Sequence, residues 1–293
     1  MKASVVGGGI MGAGIAGVLA ARGYRVSVYS RTEATLNAAR SVVETIAGAV
    51  AGVDFSMSVD ACVEGADVVS ENVAEDLTLK QEIFRTIERV APSNALLTTN
   101  TSSVPIGSIA AALREPGRLV GMHWFNPPAL MPLIEIVRGP STTDEAVARA
   151  RQLCETIGKE MIEVARDIPG FVVNRLQYAM LREVCHLVES GIVSIADIDR
   201  AVETTLAPRW SSSGPLRLMD LGGLDTVEKV SAIIMPALSR SEKVSPLVAD
   251  RVRAGSLGTK SGRGFYDWTP ETIADAKRER DATVQLVNGR RGS

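Results

Sequence analysis

Apolar and polar positions alternate between two periods along the first 165 or so residues. Short β-branched and apolar runs at residues 2–6, 25–29, 68–71, 95–99 and 161–165 read as strands. Between them, residues 11–22, 79–90, 105–113 and 144–157 carry apolar side chains at helical spacing. Ser141-Thr142-Thr143-Asp144 supplies a capping-box start for the last of these helices. Such alternation builds an α/β fold around a doubly wound, mainly parallel sheet.

Residues 119–138, LVGMHWFNPPALMPLIEIVR, break the alternation. Two apolar runs flank a Pro-Pro turn, and His123 and Glu135 lie symmetrically about Ala129. A hairpin centred there sets the two side chains opposite each other. The pair then reads either as a general base held by a carboxylate or as a core histidine satisfied by an acid.

After Asp167-Ile168-Pro169-Gly170 only helical spacing recurs: residues 172–189, a helix opened by Ser194-Ile195-Ala196-Asp197, and residues 225–237 and 246–254. The expected division is therefore a nucleotide-binding domain over 1–167 and an all-α domain over 168–293. Asn174 falls in the first turn past the Pro-Gly break, His186 reads as structural, and the polar tip ending Asn-Gly-Arg-Arg-Gly-Ser reads as frayed.

Composition narrows the classes. A length of 293 residues fits about two domains, with 45% hydrophobic and 23% charged residues, as in ordinary globular chains. A net charge of −2 leaves no basic surplus for nucleic acid. No apolar run is long enough for a membrane span, and the chain enters a strand at once, with no room for a signal peptide. Cys62, Cys154 and Cys185 lack metal or disulfide spacing, so the expectation is a cytoplasmic protein with no metal site.

Gly7-Gly8-Gly9-Ile10-Met11-Gly12 is a GxGxxG run between the first strand and the first helix. In that context Gly7 permits the turn, Gly9 admits a pyrophosphate and Gly12 allows close helix–strand packing. The helix N-terminus, beginning with Ile10 and Met11, offers free N–H groups to the phosphates. Where an NAD enzyme would place an acid after the second strand, this chain has Ser30-Arg31. A hydroxyl followed by a guanidinium suits a 2′-phosphate, which favours NADP(H) with NAD(H) possible. The plainer alternative is a solvated surface arginine.

Together the motifs GGGIMGAGIA, ENVAEDLTLK, TNTSS, GMHWFNP, LIEIV, DIPGFVVNRL, GLD and GTKSGRGFY, in order along almost the entire chain, resemble those of the 3-hydroxyacyl-CoA dehydrogenase family. The resemblance implies a Rossmann-like domain followed by a helical dimerisation domain, hence a homodimer acting on a small molecule. It implies that His123 is the catalytic histidine and Glu135 its partner. It also gives Ser102 and Asn174 the task of holding the reacting oxygen, and puts Glu75, Lys80, Asn126 and Lys260 near the cofactor. The implied chemistry interconverts a 3-hydroxy and a 3-keto group, with His123 moving the proton. A non-catalytic nucleotide-binding protein is disfavoured, because binding alone needs no base.

Three departures bear on the substrate. Ser30-Arg31 replaces the acid, and the segment after the second strand is short. Residues 35–70, where acyl-CoA members carry basic residues for CoA, hold only Arg40. Residues 207–215 read APRWSSSGP, and their Arg-Trp pair is similar to that of relatives acting on small free acids, such as L-gulonate and carnitine dehydrogenases. The hairpin and the Lys260 region also resemble a pyridine-carboxylate dehydrogenase. Arg209 could pair with a substrate carboxylate with Trp210 as an apolar wall, or the two could simply stack.

Overall fold

A computed structural model describes residues 1–291, and the chain divides into two compact units, one over Met1–Arg175 and one from Leu176 on. In the first unit, β1 (Lys2–Val6), α1 (Ile10–Ala21), β2 (Arg25–Tyr29), α2 (Glu33–Ala47), β3 (Val53–Ser56), α3 (Val59–Val63) and β4 (Val68–Glu71) lead into α4 (Leu77–Val90) and β5 (Leu96–Thr99). Then come α5 (Ile106–Ala110), β6 (Leu119–Trp124), β7 (Leu133–Val137), α6 (Asp144–Ile157) and β8 (Glu160–Val164).

The eight strands form one sheet in the order β3-β2-β1-β4-β5-β6-β7-β8. The first six positions are parallel, whereas β7 turns back antiparallel to β6 and β8 runs parallel to β7. This is the Rossmann-like, doubly wound arrangement the strand–helix alternation calls for, with a β extension at one edge. The strands are continuous apolar runs because both faces are covered. Val5, Val28, Val69 and Leu97 are buried between helices. Cys62 and Cys154 join this core as unpaired thiols, and burial pushes each thiol up to about 12.

The second unit is built from helices, as expected. It continues α7 (Val173–Glu189) and adds α8 (Ile195–Ala201), α9 (Ala207–Gly222), α10 (Leu224–Ile234), α11 (Pro246–Arg253) and α12 (Pro270–Arg291). Ser194 caps α8 by accepting the Asp197 N–H, and Thr143 caps α6 by accepting the Ala146 N–H.

Some local expectations need correction. The helix expected over 105–113 is limited to α5, because Leu113 and its neighbours close in a turn instead. The tail is not frayed through Asn288-Gly289-Arg290-Arg291, which α12 includes, while Gly292 and Ser293 lie outside the described residues. Residues 207–215 begin α9 behind a π-helical turn, Val202–Leu206, and the helix kinks at Gly214 (φ 62°) ahead of Pro215. His186 is exposed on α7.

Among the described residues no helix is long and apolar enough to cross a membrane, and no group of three or more His, Cys, Asp or Glu could hold a metal ion.

Candidate active site

The functional candidates of the first unit collect where the parallel strands end at their carboxyl edge, the usual binding edge of an open α/β sheet. After β1, Gly7 has φ 115°, and a Cβ there would lie 2.5 Å from the Asn72 carbonyl oxygen. A Cβ on Gly12 would lie 1.8 Å from the Gly7 carbonyl oxygen, so only glycine lets the turn and α1 close up. Gly9 differs: a Cβ there would meet nothing within 4 Å. It is also the N-cap of α1 and gives the helix no side-chain cap. Ile10 is 79% exposed and Met11 half-buried at the same end. Open space before uncapped helix N–H groups fits a pyrophosphate. After β2, Ser30 is packed beside this loop, its Cβ 3.4 Å from the position a Cβ on Gly8 would take, while Arg31 is exposed.

The hairpin of β6 and β7 pairs His123 directly with Glu135. Both are buried, and His123 Nδ1 lies 2.7 Å from Glu135 Oε2. The other carboxylate oxygen, Oε1, accepts the N–H groups of Val172 and Val173, each at 2.9 Å. Those amides are aimed by the Pro-Gly break, where Gly170 (φ 77°) and then Phe171 (φ 46°) take left-handed backbone conformations. Phe171 and Phe125 both pack edge-on to the imidazole, with centroids 5.4 and 4.7 Å away. Burial pushes the Glu135 carboxyl up, but the bonds from His123, Val173 and Val172 outweigh it and hold the group below the usual carboxylate range. An ionised Glu135 makes Nδ1 the donor and leaves the Nε2 lone pair free to take a proton.

Next to the hairpin, β4 and β5 end in a buried charged cluster. Lys80 Nζ bonds Glu71 Oε1 at 2.9 Å and Oε2 at 3.1 Å, and lies 3.6 Å from Glu75 Oε2. Thr99 donates to Glu71 as well, at 2.6 Å. Glu75 in turn accepts the Ser102 N–H at 2.6 Å, the Ser102 hydroxyl at 3.2 Å and the Thr101 hydroxyl at 2.8 Å. Burial raises the Glu75 carboxyl, yet the Ser102 N–H, the Lys80 ammonium and the two hydroxyls together hold it below the ordinary range. Lys80, expected near the cofactor, is only 1% exposed and sits behind Glu75. Its ammonium donates to Glu71 and, at 3.3 Å, to the Val73 carbonyl.

Asn126 stands exposed in the loop after β6, and Asn174 is half-buried in the first turn of α7. Thus Gly7 to Gly12, Ser30, Arg31, Glu75, Ser102, His123, Asn126, Glu135 and Asn174 belong to one unit. Arg209, Trp210 and Lys260 belong to the other. There Arg209 donates to the Thr205 carbonyl, Trp210 is 38% exposed, and Lys260 is exposed in a turn closed by the Gly258–Arg263 bridge. Reading the residues missed the Val172 and Val173 amides, which have no side-chain signal. It also passed over Asn100, whose Oδ1 accepts the Trp124 N–H at 2.8 Å and ties the TNTSS loop to the hairpin.

Comparison with known proteins gives the family. The family model described as 3-hydroxyacyl-CoA dehydrogenase, NAD binding domain, matches residues 2–168, and that described as 3-hydroxyacyl-CoA dehydrogenase, C-terminal domain, matches residues 170–268. The chain belongs to the 3-hydroxyacyl-CoA dehydrogenase family. It is accordingly a dehydrogenase with an NAD-binding domain. One similar member is the 5-formyl-3-hydroxy-2-methylpyridine 4-carboxylate 5-dehydrogenase of Mesorhizobium japonicum, 37% identical over 303 residues and covering 98% of each chain. Another is the 3-hydroxybutyryl-CoA dehydrogenase of Mycobacterium tuberculosis, 36% identical over 285 residues, 91% of this chain and 98% of that one. Among solved members, a 5-formyl-3-hydroxy-2-methylpyridine 4-carboxylic acid 5-dehydrogenase, described as an NAD+-dependent dismutase, superposes with a TM-score of 0.93 at 35% identity, over 99% of this chain and 97% of its own. The (S)-3-hydroxybutyryl-CoA dehydrogenase of Ralstonia eutropha superposes with a TM-score of 0.75 at 32% identity, over 92% and 99%.

Proposed function

We propose that this family member interconverts a hydroxyl and a carbonyl group on a small carboxylated substrate, such as a hydroxy acid or a carboxylated alcohol or aldehyde, using His123 and Glu135 for proton transfer. The 2.7 Å His123–Glu135 pair, buried and fixed from behind by two main-chain amides, carries the chemical part of the reading. When bound, the nicotinamide accepts or returns the hydride. In oxidation Nε2 of His123 takes the hydroxyl proton, and Glu135 stabilises the imidazolium so formed. In reduction the same nitrogen gives the proton back, while Ser102 and Asn174 polarise the carbonyl. Glu75, oriented by Lys80, and Asn126 would meet the coenzyme. The nucleotide-binding part comprises residues 1–167.

The free-acid substrate is favoured by the likeness to the pyridine-carboxylate enzyme, with its TM-score of 0.93 against 0.75 for the Ralstonia eutropha CoA dehydrogenase. It is also favoured by Arg40, the one basic residue of 35–70, whose guanidinium is spent 4.3 Å above the Phe55 ring. Arg209, beside Trp210, is the proposed partner of the substrate carboxylate. The second reading, a 3-hydroxyacyl-CoA thioester, rests on the family and on the CoA-dependent relatives of similar identity.

Ser30-Arg31 supports NADP(H) over NAD(H), since a serine and an arginine rather than an acid directly follow β2, the nearest carboxylate being Glu33 in the first turn of α2. A homodimer is supported by the second unit, where Cys185 is the one buried apolar side chain among the described residues, while Leu216 and Ile233 are 82% and 77% exposed. Three unpaired cysteines support a reducing, cytoplasmic setting.

A coenzyme-oxidation and thermal-shift screen tests both parts. NADPH should exceed NADH in kcat/KM by about tenfold or more, a modest return for one arginine–phosphate pair; equal efficiencies would remove the Ser30-Arg31 reading. With NADP present, small carboxylated aldehydes and hydroxy acids should raise Tm. Stabilisation by acetoacetyl-CoA instead selects the thioester reading.

A further inference from the structure

We propose that Lys159 is a positioning residue for coenzyme binding, clamping the loop between β6 and β7 onto the dinucleotide helix α1. This rests on the reading in which Asn126, on that loop, meets the coenzyme. Lys159 follows the left-handed C-cap of α6 at Gly158 and immediately precedes β8, so its backbone is fixed on both sides. Its side chain runs inward. Nζ donates to the carbonyls of Pro128 and Met131, both at 2.7 Å, and lies 5.8 Å from the centre of the Trp124 ring. Two charge-assisted bonds and a ring contact thus fall on residues on both sides of the loop's apex.

The clamp reaches α1 through Pro128. This proline is buried against Gly14: a Cβ added to Gly14 would lie 2.9 Å from Pro128 Cγ. Gly14 sits one turn into α1, the helix whose uncapped N-terminus faces the open space at Gly9. Lys159 therefore holds the carbonyl side of Pro128 while α1 receives its ring, two residues after the exposed Asn126. The surrounding chemistry agrees with a half-buried cation held by neutral acceptors. Burial, with Arg22 adding to it, pushes the Lys159 ammonium down to about 8.

The catalytic pair has separate support. His123 and Glu135 are held by strand register and by the Val172 and Val173 amides, none of which involves Lys159. Loss of the clamp should therefore weaken coenzyme binding while sparing turnover at saturation.

The test is Lys159→Met, which keeps the stem and removes the charge and donors, beside Lys159→Arg, with NADPH binding read by fluorescence and both kcat and KM measured. Lys159→Met should raise the NADPH Kd about tenfold and keep kcat within about threefold, and Lys159→Arg should recover most of the affinity. Gly14→Ala, which presses on Pro128 from the opposite side, should also raise Kd, and combining it with Lys159→Met should be less than additive. A lower Tm for Lys159→Met with wild-type Kd would overturn the proposal, as would a fall in kcat alone. If Lys159→Met does not fold, an unchanged Kd in Gly14→Ala overturns it and a raised one supports it. Wild-type protein that fails to bind NADPH or NADH would instead overturn the coenzyme reading.

Discussion

Glu135 divides its duties between two oxygens, and that division makes it more than a counter-ion. Oε2 orients the imidazole, while Oε1 is taken up by two amides that keep the carboxylate from rotating away. His123→Ala and Glu135→Gln should each lower turnover by about 100-fold or more while NADPH affinity stays near wild type. A near-wild-type rate in either variant would show that the proton moves elsewhere. Stability offers a second reading of the same residue. The folded Glu135 carboxyl is depressed below its ordinary 4.5, so the ionised form contributes fully above that value, and its contribution is lost as pH falls through the lower folded value. Glu135→Gln should therefore make the acid limb of a Tm-against-pH curve shallower. Residue by residue, what was legible in the sequence was chemistry on side chains placed by simple periodicity. His123 and Glu135 are equidistant from Ala129, and a hairpin needs nothing more to pair them. The direction of a long side chain is not written in its identity. Nothing in the identity of Lys80 shows that its ammonium is paired with Glu71.

At the scale of elements, the decisive join is the entry to α7. Gly170 can adopt a positive φ freely, but Phe171 also does so, at 46°, and thereby delivers the next two amides to Glu135. Replacing Phe171 by Gly removes the ring but tolerates this backbone, whereas Val removes the ring and opposes it. Phe171→Val should lose about tenfold more kcat than Phe171→Gly, a factor of the size expected for left-handed backbone in a β-branched residue. Equal losses would mean that only the ring against His123 matters. Strands and long helices were readable because each repeats its period several times. The departures are short: α5 is too brief for its period to fix its ends, and the five-residue π turn before α9 has no buried side chain to mark it.

For the whole molecule, the contrast between the two units matters most. The sheet unit buries its own core, whereas the helical unit leaves large apolar side chains such as Leu216, Leu221 and Ile233 in the open. The proposed homodimer would cover them, and sedimentation at micromolar concentration should then give a dimer. Ile233→Glu should shift it toward monomer and lower Tm, and a monomeric wild type would overturn the dimer. The division into two kinds of unit was legible because the period changes after Pro169-Gly170, while the identity of the substrate was not, since it depends on surfaces formed by residues far apart in sequence. His123 and Glu135 are only twelve residues apart, joined by a local hairpin rather than by the long-range topology of the sheet. Insertions, deletions or wholesale exchange in the remainder of the chain leave their spacing untouched. A lineage can therefore change what it oxidises while handing down two pieces, the hairpin and the two amides after Phe171 that hold Glu135.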